Sequence, residues 1–180
     1  MSKTVYAIGF VLCIGMVFCT NPQAQDEVNP FTDADLEIEQ RVEDLLSRMT
    51  LDEKVDQLSM LSLNQLELDD RGEVTQNSLE QLFKGRSIGC LESPFVEHEK
   101  IAKFSEAADT YLRKHTRLGI PAIQIAECLH GQMALGATIF PQAIAQGSTW
   151  NPGLIHKMGE IIAKEATAAG VDQALSPLFD

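Results

Sequence analysis

An α/β fold with a parallel sheet is what this sequence predicts, and three stretches of its second half predict it. The apolar run Pro121–Ala126 opens behind a Gly/Pro breaker, is too short for a helix and carries two β-branched isoleucines, so it reads as a buried strand. A helix follows whose start is written in Asn151, a good N-cap, and Pro152, suited to the first helical position. Leu154, Ile155, Met158, Ile161 and Ile162 recur at helical spacing until Gly170 supplies the stop. A second strand then begins at Val171 and runs toward Leu175. Strand, loop, helix, strand is a βαβ unit, and its two strands lie parallel.

The elements before this unit follow in order. Residues 1–25 read as a secretory signal: Lys3 gives a basic start, Val5 to Phe18 is apolar, and small or polar residues follow. The run is short for a bilayer span and has no stop-transfer flank, so the chain is expected to be exported, to the periplasm or the outside, without a stable membrane span. Cleavage near Ala24 or Gln25 fits, and Cys19 raises a lipoprotein alternative that the bulky Phe18 disfavours. Residues 26–40 form a linker and the start of the first helix, in which Val42, Leu45, Leu46 and Met49 mark one apolar face. Thr50-Leu-Asp-Glu53 is a capping box that ends this helix and starts a second, expected to carry Val55, Leu58 and Leu61.

From Asn64 to Glu80 the chain is polar and without period, so a loop is expected there, with one helical turn near Leu79–Phe83. Gly85–Leu91 reads as a first strand. Glu97–His115 places Ile101, Phe104, Ala108, Tyr111 and Leu112 on one face of a confident helix. The order is then helix, helix, strand, helix, strand, helix, strand.

Charge narrows the function classes. Across 180 residues Asp and Glu number 26 against 14 Lys and Arg, a formal net charge of −12 with no basic cluster, so no nucleic-acid partner is expected. Two of the four cysteines, Cys13 and Cys19, lie in the signal. Cys90 and Cys128 can pair in an exported protein, yet each sits beside an apolar run where a buried free thiol is common.

Chemistry is most legible just past the Pro121–Ala126 strand, where Glu127 and His130 precede a turn at Gly131. Ligands of α/β sheets and barrels bind beyond the carboxyl ends of strands, so a carboxylate there is a site candidate, and the plain alternative is a carboxylate that caps a loop. Glu127-x-x-His130 also matches one half of a helical di-metal motif, but no other histidine repeats the spacing and Pro121 argues against a helix; no metal or cofactor is expected. A Cys128–His130 nucleophile lacks an orienting third group. Asp180 closes the next strand region, so two carboxylates can share one rim, and glycosidic cleavage commonly uses two.

These residues make the chain resemble the N-terminal portion of glycoside hydrolase family 3, which includes β-glucosidases and β-xylosidases. Four stretches carry the resemblance: Arg41–Lys54 with Gln57, Arg117–Pro121, Glu127–Gly131, and Ala137–Gln142 through Ser148–Pro152; Ser176–Asp180 looks like the start of the family's third-strand motif. The resemblance implies that residues 41–180 are the N-terminal part of a (β/α)8 TIM barrel with about three strands present, preceded by two short helices. It further implies an O-glycosyl hydrolase acting with retention on β-linked glucosides or xylosides, with an oligosaccharide or glycoside substrate as its partner. Glu127 falls where the family places an acidic residue that holds the sugar being cleaved, while His130 and Gly131 shape the turn. Trp150 is expected to pack beside its helix start, not to stack on sugar.

The departures from the family pattern concern catalysis. The family's nucleophilic aspartate lies downstream of the stretch matching Asp180, so no catalytic residue is assigned in this chain, and the missing C-terminal part of the enzyme becomes its expected partner. A complete barrel needs roughly 250 residues. Three strands of an open barrel leave an unpaired edge and uncovered apolar faces, so residues 26–180 alone are expected to be marginally folded and catalytically inert. A non-catalytic exported sugar-binding protein is the alternative.

Overall fold

The capping box forms as the sequence writes it. In the computed structural model, which describes residues 29–177, Glu53 N–H donates to Thr50 Oγ1 at 3.2 Å and Thr50 N–H donates to Glu53 Oε2 at 2.8 Å. These bonds satisfy two orphan donors at the junction between helix α1 (Ile38–Arg48) and helix α2 (Leu51–Asp56). The signal region, with Cys13 and Cys19, and the terminal Asp180 lie outside the described residues.

The chain divides into two compact units, residues 1–45 and 46–180. In the first, Asp44 Oδ2 accepts from Phe31 N–H at 3.2 Å and Arg41 Nε donates to Phe31 O at 3.1 Å, tying a 3-10 turn at Pro30–Thr32 to α1.

The second unit holds four strands in the order β1-β2-β3-β4, all parallel: β1 (Met60–Ser62), β2 (Cys90–Glu92), β3 (Ile123–Glu127) and β4 (Gln173–Leu175). Among the described residues the strand count is therefore four, where the sequence predicts about three. The extra strand is β1, which the sequence assigns to the second helix through the spacing Val55, Leu58, Leu61. That helix ends at Asp56, because Leu58 and Ser59 turn back onto the carbonyls of Val55 and Asp56 at 3.0 Å each. Gly89 N–H then takes Asp56 O at 3.2 Å and Cys90 N–H takes Ser59 O at 3.2 Å. Pairing across some thirty residues thus overrides local helical spacing.

Two further boundaries move. The loop expected from Asn64 contains helix α3 (Gln76–Phe83), capped by Thr75, whose Oγ1 accepts from Ser78 N–H at 3.3 Å. The strand expected at Gly85–Leu91 shrinks to Cys90–Glu92, since Lys84 and Gly85 both adopt left-handed backbone at the end of α3. Helix α4 (His98–His115) buries Ile101, Phe104, Ala108, Tyr111 and Leu112, the face predicted. A short helix α5 (Ala143–Ser148) precedes helix α6 (Pro152–Ala168), whose Asn151 cap accepts Leu154 N–H at 3.1 Å.

Helices α3 and α4 pack on one side of the sheet through Leu79, Leu82, Phe83, Phe104, Tyr111, Leu112 and Leu91, with the Phe83 and Tyr111 rings stacked 5.2 Å apart. A second cluster joins Ile101 of α4, Ala126 and Cys128 at the end of β3, and Ile162 and Ala166 of α6. Each fully buried Leu, Ile or Phe contributes about 1.5–3 kcal/mol, so these two layers hold the strands in register.

Arg117, just past α4, adds a polar tie. Its Nε donates to Glu53 Oε1 at 2.8 Å, its Nη2 donates to Glu53 Oε2, and the same Nη2 reaches Arg48 O at 2.8 Å. The guanidinium, together with the Thr50 N–H, lowers the Glu53 pKa to about 2. Two of the four stretches that carry the family resemblance thus meet in one contact.

Candidate functional site

Alternation along the strands decides which way each side chain faces. Leu91, Gln124 and Ala126 are buried on the helix side; Gln124 Nε2 donates to Ser93 Oγ at 2.8 Å. Cys90, Glu92, Ile123, Ile125 and Glu127 therefore share the opposite face, joined by Met60 and Leu175 through the register Met60↔Cys90 and Glu127↔Leu175. Met60 and Ile123, at the amino ends of their strands, and Leu175, paired with Glu127 at the carboxyl end, are exposed there by 52%, 47% and 38%, while Ile125 between these levels is 8% exposed.

Glu127 is the last residue of β3, half-buried, at the carboxyl end of that open face. The sequence points to this residue from its place after an apolar run, and the strand does end there. Glu92 ends β2 on the same face, paired with Ile125 and thus two residues short of Glu127 along the neighbouring strand. The sequence reading passes over Glu92; its signal is the same, a carboxylate closing a short apolar segment before Ser93-Pro94.

The loop after β3 fixes the backbone of Glu127. Met133 N–H donates to Glu127 O at 2.9 Å, Phe140 N–H donates to His130 O at 2.7 Å, and His130 Nδ1 meets Phe140 O at 2.9 Å. One His130 ring nitrogen is thereby occupied by the turn. Gly131 has φ +136, and a Cβ placed on it would fall 2.2 Å from Thr138 O, so the chain crosses itself here at a distance only glycine allows. Thr138 is held in turn by Glu165 of α6. Its N–H donates to Oε2 at 2.8 Å and its Oγ1 donates to Oε1 at 2.6 Å, which together draw the Glu165 carboxyl below the usual carboxylate range.

Cys128 is buried and free, as is the half-buried Cys90. Burial first, and the Glu127 charge second, push the Cys128 thiol up, the opposite of what a nucleophilic thiolate requires. Gln132 is 1% exposed, and neither atom of its carboxamide has a hydrogen-bonding partner among the described residues.

Trp150 departs from expectation. It is 91% exposed, with φ +48, just past the end of α5, where its N–H donates to Gly147 O at 3.2 Å. The indole stays outside the core, so the packing predicted for it does not form. Among the described residues no helix is long and apolar enough to cross a membrane.

Known proteins resemble this chain in sequence and in its parallel βα fold. The glycosyl hydrolase family 3 N-terminal domain matches residues 50–180. The chain belongs to glycosyl hydrolase family 3. A putative β-xylosidase of Formosa agariphila is 28% identical over the whole of this chain and 24% of its own length. A periplasmic β-glucosidase of Salmonella typhimurium is 25% identical over 77% of this chain and 16% of its own. Among solved structures, a β-glucosidase from Erythrobacter marinus superposes with a TM-score of 0.65 at 29% identity, covering 83% of this chain and 20% of that one. The chain spans about a quarter or less of the length of these glycosidases. Its fold is accordingly that of the first βα units of a family 3 barrel.

Proposed function

We propose that this chain is the N-terminal part of an exported β-glycosidase that hydrolyses β-linked glucosides or xylosides with retention, and that Glu127 holds the sugar whose bond is cut. The observation that carries the reading is the position of Glu127, on the open face of the sheet at the carboxyl end of β3, in a chain of family 3. A half-buried carboxylate there accepts hydrogen bonds from two neighbouring sugar hydroxyls, and such charge-assisted bonds are stronger than neutral ones and fix the ring's orientation. Retention calls for a second carboxylate as nucleophile and an acid that protonates the leaving oxygen. Both are assigned to sequence beyond this chain, so residues 26–180 supply binding and not chemistry. Support for export comes from the signal-like first 25 residues and from the periplasmic relative.

Calorimetric titration of the protein as its source cells make it, with glucose and with xylose, tests the role of Glu127. Binding that weakens about tenfold or more in Glu127→Ala is expected, matching the loss of charge-assisted bonds. Equal affinity of the variant and the parent, or no binding by a folded preparation, removes the role. Turnover of an aryl β-glucoside by this chain alone overturns the assignment of the nucleophile elsewhere. The loop that fixes Glu127 is built wholly from this chain, which favours, as a second reading, a non-catalytic exported sugar-binding protein. Intact mass of the native product separates the two: a species several times heavier than 19.8 kDa supports the glycosidase, and one near this mass or slightly below it supports the binding protein.

A further inference from the structure

We infer that Glu165 of α6 is a positioning residue for Glu127, acting through Thr138 and the Gly131 crossing to fix the rim loop that anchors the Glu127 backbone. This rests on the reading of Glu127 as the sugar-holding carboxylate. The steps between the two glutamates are hydrogen bonds, one close backbone crossing and links between chain neighbours. Glu165 accepts both the N–H and the hydroxyl of Thr138, at 2.8 and 2.6 Å. The Thr138 carbonyl lies against Gly131 so closely that a Cβ there would stand 2.2 Å away. His130, next to Gly131, exchanges two bonds with Phe140, at 2.7 and 2.9 Å, and Met133 closes the loop onto Glu127 O at 2.9 Å.

The anchor at the far end is itself fixed. His98 of α4 meets Glu165 O through Nε2 at 2.7 Å, and the neighbouring Ala166 is 6% exposed in the core with Ile162 and Ala126. A two-point carboxylate grip from a rigid helix is the natural way to place a loop that has few buried side chains of its own: Met133, Leu135, Thr138 and Ile139 are all exposed. The alternative is a purely local role, in which Glu165 caps Thr138 and nothing further. Contact alone does not separate the two, since coupling has to be measured.

Backbone amide exchange on the protein as its source cells make it separates them without any sugar. In Glu165→Ala the amides of Thr138, Phe140 and Met133 are expected to exchange about tenfold faster, while amides within α6 such as Ile162 keep their protection. Glu165→Gln, which retains one acceptor oxygen, is expected to restore most of that protection. If Thr138 alone speeds up while Met133 and Phe140 are unchanged, the role is local and the inference is overturned. Should Glu165→Ala loosen α6 itself, Thr138→Val decides instead, because it removes only the hydroxyl donor; faster Met133 and Phe140 exchange supports the coupling and unchanged exchange ends it. Glucose and xylose titrations of the same variants then report on Glu127 separately. Loss of sugar binding in the parent chain counts against the function reading and leaves the exchange result standing.

Discussion

Replacing Gly131 by alanine isolates what the chain crossing at the rim contributes. Two costs arise. Backbone at φ +136 is one that a residue with a Cβ adopts at about 1–3 kcal/mol. The new Cβ would also stand 2.2 Å from Thr138 O, so the crossing segments must part. Parting them breaks the paired bonds between His130 and Phe140, worth about 1 kcal/mol each. Gly136, in the same loop, is the matched control: its φ is +89, and nothing lies within 4 Å of where its Cβ would be. Gly136→Ala therefore carries only the backbone cost, and Gly131→Ala is expected to exceed it by about 2 kcal/mol. Equilibrium urea denaturation followed by circular dichroism gives both values on one chain. A gap below about 0.5 kcal/mol, the scatter of independent sites, would refute the argument that the crossing constrains the rim.

Two further outcomes follow from the ionisable groups. Folding lowers the Glu53 pKa from 4.5 to about 2, so the charged carboxylate favours the folded state above about pH 4.5, and that contribution is lost as the pH falls through 2. Acid denaturation of Glu53→Gln beside the parent is expected to show a stability difference at neutral pH that closes across this window; a difference independent of pH would count against the Arg117 pairing as its source. The thiols differ in the same spirit: Cys128 is buried with its pKa raised, and Cys90 is half-buried on the open face. Alkylation with iodoacetamide near pH 8, read by peptide mass mapping, is expected to label Cys90 well before Cys128, and equal labelling would contradict the burial of Cys128.

Much of this fold is legible where local signals agree with one another. Helix α4 buries the five residues its spacing names, and α6 starts at the Asn151-Pro152 signal and stops before Gly170, because cap, period and breaker all point one way. Strand β1 is illegible for the opposite reason. Three residues are too few to display a period of two, and Leu61 falls in step with Val55 and Leu58, so the helical reading wins until β2 arrives to pair with it. Trp150 fails differently: its left-handed backbone follows the end of α5, and backbone signals carry no information on whether a surface waits to cover the indole.

The site divides along the same line. The position of Glu127 is readable because the polarity change after Ala126 marks the end of a strand, where ligands of such sheets bind. Glu165 is not readable, since it occupies an ordinary helical position 38 residues on, where a carboxylate is normally a solvated one. What sets it apart is that the loop returns Thr138 to it, and that return depends on glycine at 131. Three βα units and a fourth strand thus hold both Glu127, at the end of β3, and Glu165, whose carboxylate grips Thr138 in the loop behind it. The exposed Met60, Ile123 and Leu175 lie on the same face of the sheet as Glu127. Ordering of the Glu127 rim and covering of these side chains are separable: the rim is held by contacts within residues 127–165 together with Val96 and His98, and covering the apolar side chains requires a further surface.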